Sequence, residues 1–301
     1  MSMAGAAREG AGPRRLLTVL QLATGYLQKK GVPQARLDAE VLLASVLECP
    51  RIQLYVQYDR ILTPEEIARY RELTGRRGRR EPVAYLVGRK EFCGLPFQVT
   101  PAVLIPRPET ELLVDLASGW ASQGGPDQAL VAADVGTGSG AIAVALARRH
   151  PRAEVYATDA FAEALAVAQQ NAASLGVAER VHFLRGNLAE PLLAQGLAGR
   201  VDILLSNPPY VSSSEFANLA PELAYEPRPA LDGGLDGMKY YGPLWEQAAR
   251  LVCTGGRVAF EVSPMIAEKV ADLAKASEAW TEVSLHKDLA GHWRAVSARR
   301  T

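Results

Sequence analysis

The chain has 301 residues, 48% hydrophobic and 22% charged, which is typical of a soluble globular protein and long enough for two domains. Its 33 basic and 33 acidic residues balance, so it lacks the bulk positive charge of a domain that clamps nucleic acid. Three cysteines and four histidines are scattered without metal-binding or disulfide spacing, which predicts a cytoplasmic protein without a metal site.

The first 82 residues are predicted to form a small helical domain. Residues 1–15 lack the apolar stretch of a signal peptide, although their three arginines and single acid leave a mitochondrial presequence open. Leucines recur near helical spacing from Leu16 to Leu47. Thr63 and Pro64 then suit the N-cap and the first turn of a further helix. Because this domain holds no glycine-rich loop and no cluster of catalytic residue types, it is predicted to serve in substrate recognition or packing.

A linker with a β-hairpin is predicted over residues 83–108. Within it, residues 91–105 have an extended pattern with turn signals at Gly94 and Pro101. An arginine-rich stretch, residues 75–82, precedes the linker and has two interpretations. It is either a solvated, charged helix end or a patch that contacts RNA or an acidic partner surface.

Strands and helices alternate from Leu130 onward, which predicts a doubly wound α/β sheet in a domain spanning residues 109–301. The last two predicted strands, 281–287 and 293–299, are joined by a short turn. They are therefore expected to pair as a hairpin and to add one antiparallel strand to a mostly parallel sheet. The other predicted elements are a helix at 112–122, a loop at 124–127, strands at 130–135, 154–159, 181–186, 201–207 and 257–262, and helices at 139–149, 162–175, 240–252 and 265–277.

A glycine-rich turn, within the sequence DVGTGSGA, follows the first strand of this domain and precedes a helix. Gly136 and Gly138 permit a tight turn and close approach of the backbone to a ligand, which predicts a nucleotide site. Asp159 ends the next strand, where a carboxylate can accept hydrogen bonds from ribose hydroxyls. The pattern fits both a dinucleotide and S-adenosylmethionine. Asp134 favours the second because its carboxylate could meet a cationic amino acid group, but it could equally hold the turn by binding backbone amides.

The sequence NPPY, Asn207 to Tyr210, stands at the end of a predicted strand, where open α/β sheets bind their ligands. The Asn207 side-chain oxygen and the Pro208 carbonyl are acceptors for the two N–H groups of a planar amide or amino group. Prolines restrict the backbone, and Tyr210 can pack flat on the substrate. The motif therefore predicts methyl transfer to a planar nitrogen. The alternative is that Asn207 only caps a turn and the prolines only end a strand.

In this order and spacing, GTGSG and NPPY resemble the class I S-adenosylmethionine-dependent methyltransferases that act on planar nitrogens. Three further stretches, LIPRPETE at 104–111, YEPRPALDGGLDG at 225–237 and KDLAG at 287–291, resemble the release factor glutamine methyltransferases, the HemK/PrmC family. The resemblance spans nearly the whole chain. It implies a Rossmann-like fold and methylation of the glutamine side-chain N5 in the Gly-Gly-Gln motif of peptide chain release factors.

The resemblance also implies which residues carry the reaction. Asn187 and Leu188 stand where the family often has an acid and an aromatic; Asn187 could still bind the adenine amino group, and Leu188 could pack on the base without stacking. Residues 207–210 would hold the glutamine amide, with Asn207 and Pro208 as the catalytic pair and Asn207 also next to the cofactor. S-adenosylmethionine, which leaves as S-adenosylhomocysteine, is expected around Gly136, Thr137, Gly138, Ser139, Gly140 and Asp159, and Pro209 and Tyr210 are expected to contact the substrate.

Several alternatives stay open. Glu109 and Glu111 either line the site or lie at a helix start and pair with Arg107. The segment 226–229 is either a lid over the glutamine or an ordered crossover loop. Release factors are the expected partner of a monomeric enzyme that requires no nucleic acid or membrane. The rivals are a DNA N6-adenine methyltransferase that holds a flipped base, a methyltransferase for another protein glutamine, and a non-enzymatic interaction module.

Overall fold

The computed structural model describes residues 14–122 and 129–301. The predicted loop at 124–127 and most of the first 15 residues, where a presequence was left open, lie outside these ranges. The chain divides into two compact units, Met1–Val87 and Gly88–Thr301. In the described ranges, no helix combines the length and the apolar character needed to cross a membrane.

The first unit is helical, as predicted, and its core consists mainly of aliphatic residues from its first two helices. The predicted N-cap at Thr63 is confirmed. Thr63 Oγ1 accepts the Glu66 amide at 3.2 Å, and Glu66 Oε2 accepts the Thr63 amide at 2.8 Å. This reciprocal capping box satisfies amides that would otherwise lack partners at the helix start. The helices are α1 (Leu16–Lys29), α2 (Ala35–Val46), α3 (Gln53–Val56), α4 (Pro64–Gly78) and α5 (Val83–Val87).

Three arginines of the basic stretch bind groups within the helical unit. Arg77 is only 6% exposed, and its Nε donates to Asp38 Oδ2 at 2.7 Å. Arg76 donates twice to the Glu81 carboxylate, at 2.8 and 2.5 Å, and Arg80 donates to the Gly31 carbonyl at 2.7 Å. These side chains therefore join the end of α4 to its own unit, a role that neither interpretation of the stretch included.

Arg77→Ala is expected to lower the free energy of unfolding of the helical unit by about 3 kcal/mol, because it leaves the buried Asp38 carboxylate without its cationic partner. Arg71→Ala is the matched control, since Arg71 lies exposed on the same helix. It should change the free energy of unfolding by no more than about 0.5 kcal/mol. Urea unfolding followed by circular dichroism measures both. Equal effects of the two substitutions would show that the buried ion pair contributes nothing.

The second unit begins with the predicted hairpin, formed by β1 (Arg89–Phe92) and β2 (Leu95–Gln98). Its two turn residues, Cys93 and Gly94, have φ of 51° and 72°, as a tight two-residue hairpin turn requires. Side chains from elsewhere in the unit hold the hairpin. Glu111 accepts the Cys93 amide at 2.7 Å, and Asn171 binds both the amide and the carbonyl of Gln98, at 2.7 and 3.0 Å.

The main sheet has seven strands in the order β5-β4-β3-β6-β7-β9-β8. Only β9 runs against its neighbours, so the prediction of a mostly parallel sheet with one antiparallel strand near the C-terminus is confirmed. The strand predicted at 257–262 begins earlier, at Val252, with a shift of register between Val201 and Ile203 of its neighbour. The strands are β3 (Leu130–Val135), β4 (Ala153–Asp159), β5 (Val181–Arg185), β6 (Val201–Ser206), β7 (Val252–Glu261), β8 (Trp280–Lys287) and β9 (Trp293–Arg300).

Helices cover both faces of this sheet, because successive strand residues point to opposite sides. In β6, Ile203 and Leu205 belong to one core cluster, whereas Leu204 packs in the other with Trp245. The carboxyl ends of β3, β4, β6 and β7 meet at one edge, where the sequence predicts the site. The helices are α6 (Glu111–Ala121), α7 (Ala141–Arg149), α8 (Ala162–Ser174), α9 (Glu190–Ala194), α10 (Tyr241–Leu251) and α11 (Ala267–Lys275).

Candidate active site

A cavity of about 430 Å³ lies at the carboxyl edge of the parallel strands. The loops after β3, β4, β5 and β6 each contribute to its wall, as expected for an open α/β sheet. Eight of the predicted site residues line it, whereas Thr137, Ser139, Gly140 and Tyr210 do not. The eight are Gly136, Gly138, Asp159, Asn187, Leu188, Asn207, Pro208 and Pro209.

The glycine turn forms one wall of the cavity. The amides of Gly136 and Thr137 both donate to the Thr158 carbonyl at 2.9 Å, which fixes the turn against β4. Gly136 and Gly138 have positive φ, and a Cβ on either would meet no atom within 4 Å. Gly140 differs, because a Cβ there would lie 3.1 Å from the Ala168 side chain. The first two glycines therefore leave room beside the backbone, and the third lets α7 approach α8.

Asp159 stands in the same wall, with each carboxylate oxygen bound to a backbone amide. Oδ2 accepts from Gly138 at 2.9 Å and Oδ1 from Phe161 at 3.0 Å. Burial raises the pKa of Asp159, and the backbone hydrogen bonds oppose that rise. Since each carboxylate oxygen has two acceptor positions, both can still accept a hydroxyl from a ligand.

Asp134 takes the second of its two predicted roles and holds the turn. Its Oδ2 accepts the Thr137 hydroxyl at 2.6 Å and the Ala143 amide at 3.2 Å. Burial raises the pKa of Asp134 to about 7, because a charge so far from water is costly. The Ser139 carbonyl likewise accepts the Asn171 side-chain amide at 2.8 Å. Thr137 and Ser139 thus shape the turn from outside the cavity.

The loop after β5 supplies Asn187 and Leu188. Asn187 donates through Nδ2 to Glu190 at 3.1 Å, which leaves its side-chain oxygen available as an acceptor. Leu188 has φ of 46°, uncommon for a residue with a side chain, and its carbonyl accepts the Thr158 hydroxyl at 2.7 Å. Phe161 lines the same cavity and is 48% exposed. The sequence analysis missed this aromatic, although an aromatic two residues beyond Asp159 was a signal.

The candidate catalytic corner, residues Asn207 to Tyr210, follows β6. Asn207 donates through Nδ2 to Thr110 Oγ1 at 3.1 Å, so its side-chain oxygen remains free to accept. The preceding hydroxyl, on Ser206, donates to the Val135 carbonyl at 2.6 Å and ties the end of β6 to β3. Pro208 and Pro209 line the cavity beside Asn207. The corner therefore presents a fixed amide oxygen and two rigid residues at the place where a ligand would bind.

Tyr210 lies outside this cavity, and the tyrosine in the cavity wall is Tyr240. The Tyr210 hydroxyl donates to Glu261 Oε1 at 3.3 Å. Its backbone is packed closely, since a Cβ on Gly233 would lie 2.7 Å from the Tyr210 Cα and one on Gly237 2.5 Å from its carbonyl oxygen. The glycines of the family-like stretch at 225–237 thus fit against the NPPY backbone.

Thr110 lies between Glu109 and Glu111, the two acids for which a place in the site was an open alternative. It is Thr110 that contacts Asn207. Glu111 binds the hairpin amide of Cys93 instead, and Glu109 is exposed. Arg107 pairs with neither acid but with Glu226, which also accepts the Ile105 amide at 3.0 Å.

Glu226 is 6% exposed and precedes a loop that forms part of the cavity wall. Pro227, Pro229 and Ala230 line the cavity together with residues 102–104. The Glu226 contacts to Ile105 and Arg107 hold these two distant segments together. The segment at 226–229 is thus an ordered part of the cavity wall.

Glu261 ends β7 and was missed by the sequence analysis. It is 1% exposed, and burial raises its pKa to about 7. Thr110, Tyr210 and Arg294 lower the pKa of this carboxyl, and Glu109 raises it. The available signal was a glutamate directly after the apolar run at 258–260, on the edge that carries Asp134, Asp159 and Asn207.

Two family models match the chain. One, described as the PrmC N-terminal domain, matches residues 18–88, and the other, the methyltransferase small domain, matches residues 114–234. Together they contain the helical core, the glycine turn and the NPPY corner.

Curated relatives match over nearly the full length. A release factor glutamine methyltransferase of Geobacter sulfurreducens is 45% identical over 253 residues, or 84% of this chain and 85% of that protein. One of Rhodopirellula baltica is 39% identical over 293 residues, or 96% of this chain and 97% of that protein. Among solved structures, the hMettl16 catalytic domain in complex with MAT2A 3'UTR hairpin 6 gives a TM-score of 0.56 at 12% identity, covering 79% of this chain and 82% of that one. That likeness shows the fold alone.

Proposed function

Because the chain belongs to the release factor glutamine methyltransferase (HemK/PrmC) family of class I S-adenosylmethionine-dependent methyltransferases, we propose that it methylates the side-chain N5 of the Gly-Gly-Gln glutamine in peptide chain release factors. The chain is accordingly an enzyme, a protein-glutamine methyltransferase, and not an interaction module that has kept the fold.

The residues of the cavity fit the cofactor. S-adenosylmethionine supplies an electrophilic methyl group on a sulfonium and leaves as S-adenosylhomocysteine. Gly136 and Gly138 give open space beside the backbone, and Asp159 offers acceptors for ribose hydroxyls. Phe161 and Leu188 provide apolar surface for the adenine, and the Asn187 side-chain oxygen can accept its amino group.

The corner residues are suited to a primary amide. The amide nitrogen of glutamine is a poor nucleophile because its lone pair is delocalised. The Asn207 side-chain oxygen and the Pro208 carbonyl can accept its two N–H groups, which orients the nitrogen and favours localisation of the lone pair. After transfer, the nitrogen releases a proton to a carbonyl or to water. The rate then rests on orientation and electrostatics, without a dedicated base.

The single observation that supports this function best is the hydrogen bond from Asn207 Nδ2 to Thr110. It uses the donor end of the Asn207 side chain on the protein, so that the acceptor end is left for a ligand. Asn207 lines a cavity to which the predicted cofactor loops also contribute. A residue that merely capped a turn would direct its oxygen to a backbone amide instead.

The rival reactions differ in substrate. A DNA adenine methyltransferase would use the same corner for an exocyclic amino group, but it needs a basic surface, and this chain balances 33 basic and 33 acidic residues. Another protein glutamine would fit the corner equally well. We favour the release factor as partner because the curated relatives carry that name. The enzyme would meet it in the cytoplasm as a monomer, without nucleic acid or membrane.

Methyl transfer from labelled S-adenosylmethionine tests the proposal. The acceptors are a purified release factor, the same factor with Gly-Gly-Gln changed to Gly-Gly-Ala, and unmethylated duplex DNA. Label is expected on the wild-type factor alone. Label on the glutamine-free factor or on DNA would leave the corner chemistry in place but identify a different nitrogen as the substrate.

A further inference from the structure

The buried hydroxyl of Thr110 holds the Asn207 side chain. Thr110 lies just before α6 and is 4% exposed. Its Oγ1 accepts the Asn207 side-chain amide at 3.1 Å. A threonine hydroxyl has one proton, and that proton is not used in this bond. The orientation of Asn207 therefore depends on where Thr110 directs its own proton.

Glu261 is the group that can receive this proton. The Thr110 hydroxyl lies near enough to lower the pKa of the Glu261 carboxyl. Oε1 accepts the Tyr210 hydroxyl at 3.3 Å, while Oε2 is buried without any hydrogen-bond partner in the described part of the chain. The carboxylate thus has acceptor capacity left for the Thr110 hydroxyl. An ionised carboxylate can only accept, so it fixes the direction of both hydroxyls.

We propose that Glu261 and Thr110 form a hydrogen-bond relay that fixes the Asn207 side-chain amide with its nitrogen toward Thr110 and its oxygen toward the substrate. Both are positioning residues, since they act through Asn207. The inference rests on the proposed function, because it concerns the same corner of the same reaction. It adds that the polarity of this corner is set by a buried charge at the end of the neighbouring strand β7.

Reversal of the relay would place the wrong group against the substrate. A protonated Glu261 can donate to Thr110, which frees the Thr110 proton to turn toward the Asn207 oxygen. Asn207 would then rotate and present its NH₂ group to the glutamine NH₂ group, so that two donors would meet. A substrate amide held this way would lose one of its two acceptors.

The charge of Glu261 depends on its neighbours. Burial raises its pKa to about 7 and Glu109 adds to the rise, whereas Thr110, Arg294 and Tyr210 oppose it. The Tyr241 hydroxyl binds the Glu261 backbone carbonyl at 2.7 Å and not its carboxylate. Since the relay requires the ionised form, kcat should rise as pH increases through about 7.

Three variants test the relay in the methyl transfer assay. Thr110→Val, which has the same shape without the hydroxyl, should lower kcat about 10- to 100-fold, because Asn207 loses its orientation. Its Kd for S-adenosylmethionine should stay within about twofold of wild type, because Thr110 does not line the cavity. Thr110→Ser should recover most of the activity. A normal kcat in Thr110→Val, or an equal loss in Thr110→Ser, would overturn the relay and indicate packing alone.

The kcat of Glu261→Gln should be lower than that of wild type at pH 8.5 and close to that of wild type at pH 6. The reason is that glutamine, like protonated Glu261, carries no charge. The rise of kcat through about pH 7 should disappear in this variant. Asp134, whose pKa is also raised to about 7, is unchanged in it and serves as an internal control. A pH dependence that survives in Glu261→Gln would assign the titration to another group and contradict the relay.

A measurement without substrate keeps the relay separate from the proposed function. Selective ¹⁵N labelling of asparagine makes the Asn207 side-chain NH₂ visible by NMR, and the signal is assigned by its absence in Asn207→Ala. In wild type, the chemical shift of this NH₂ group should change with pH with a midpoint near pH 7. In Thr110→Val, the chemical shift should differ from that of wild type. In Glu261→Gln, it should be independent of pH. An invariant signal would overturn the relay even if methyl transfer occurs. Absence of methyl transfer to any release factor would overturn the function and leave this signal as the test of the relay.

Discussion

Asn207→Ala is expected to lower kcat for methyl transfer to the release factor about 10³-fold, the largest effect of any single substitution in this chain. The variant loses the acceptor that holds one N–H of the glutamine amide and also the bond to Thr110. Most of the cavity wall is untouched, so the Kd for S-adenosylmethionine should change no more than about threefold. Single-turnover kinetics with labelled cofactor, together with calorimetric titration, measure the two quantities separately.

Asn218→Ala is the matched control, since Asn218 is exposed and lies in a short helical turn outside the cavity. Its kcat should equal that of wild type. Asn207→Asp is the informative second variant, because a carboxylate keeps the shape and the acceptors but cannot donate to Thr110. If Asn207→Ala retained more than about a tenth of wild-type kcat, the amide oxygen would have no special part in catalysis.

Asp159→Ala is expected to weaken S-adenosylmethionine binding about 100-fold. The carboxylate receives the Gly138 and Phe161 amides, so its removal loosens the cofactor turn and also removes the acceptors for the ribose hydroxyls. Two hydrogen bonds to a charged acceptor account for an effect of about 3 kcal/mol. Calorimetric titration of S-adenosylhomocysteine into the variant gives the Kd without interference from turnover.

Asp272→Ala provides the comparison, because Asp272 is an exposed acid on α11 that pairs with Lys275. Its Kd should match that of wild type. At saturating cofactor, the rate of methyl transfer by Asp159→Ala should recover much of the wild-type rate, since the corner at Asn207 is unaffected. A variant with normal affinity would show that Asp159 serves the fold of the turn and not the cofactor.

Local patterns in the sequence predicted most of the fold. The N-cap at Thr63, the hairpin turn at Gly94 and the strand–turn–helix at Gly136 each depend on residues close together in the chain, and the structure has all three. The boundaries were less accurate where tertiary pairing decides them. The strand β7 starts at Val252 because it pairs there with Val201, which no local pattern indicates.

The candidate site was predicted from the positions of its residues at strand ends, and not from contacts between side chains. The rule that ligands bind at the carboxyl ends of parallel strands located Asp159 and Asn207 in one cavity. It could not reveal Thr110, which reaches the corner from a distant part of the chain, whereas Glu261 was overlooked although it ends β7 at the same edge. The expected role of Tyr210 depended on the direction of its ring, and in the folded protein its hydroxyl donates to Glu261. Side-chain direction follows from packing that a linear pattern does not contain.

The hairpin contacts determine how the protein can be divided by engineering. Asn171 is fully buried and binds both backbone groups of Gln98, and Glu111 binds the amide of Cys93. The predicted domain boundary suggests a catalytic fragment that begins at residue 109. Such a fragment would leave the Asn171 and Glu111 side chains without their hairpin partners. Asn171 also contacts the glycine turn, so the loss would lie next to the cofactor site. A fragment that begins at Gly88 keeps them paired. Domain exchange between relatives should therefore transfer the hairpin together with the sheet, so that each recipient inherits an intact cofactor loop.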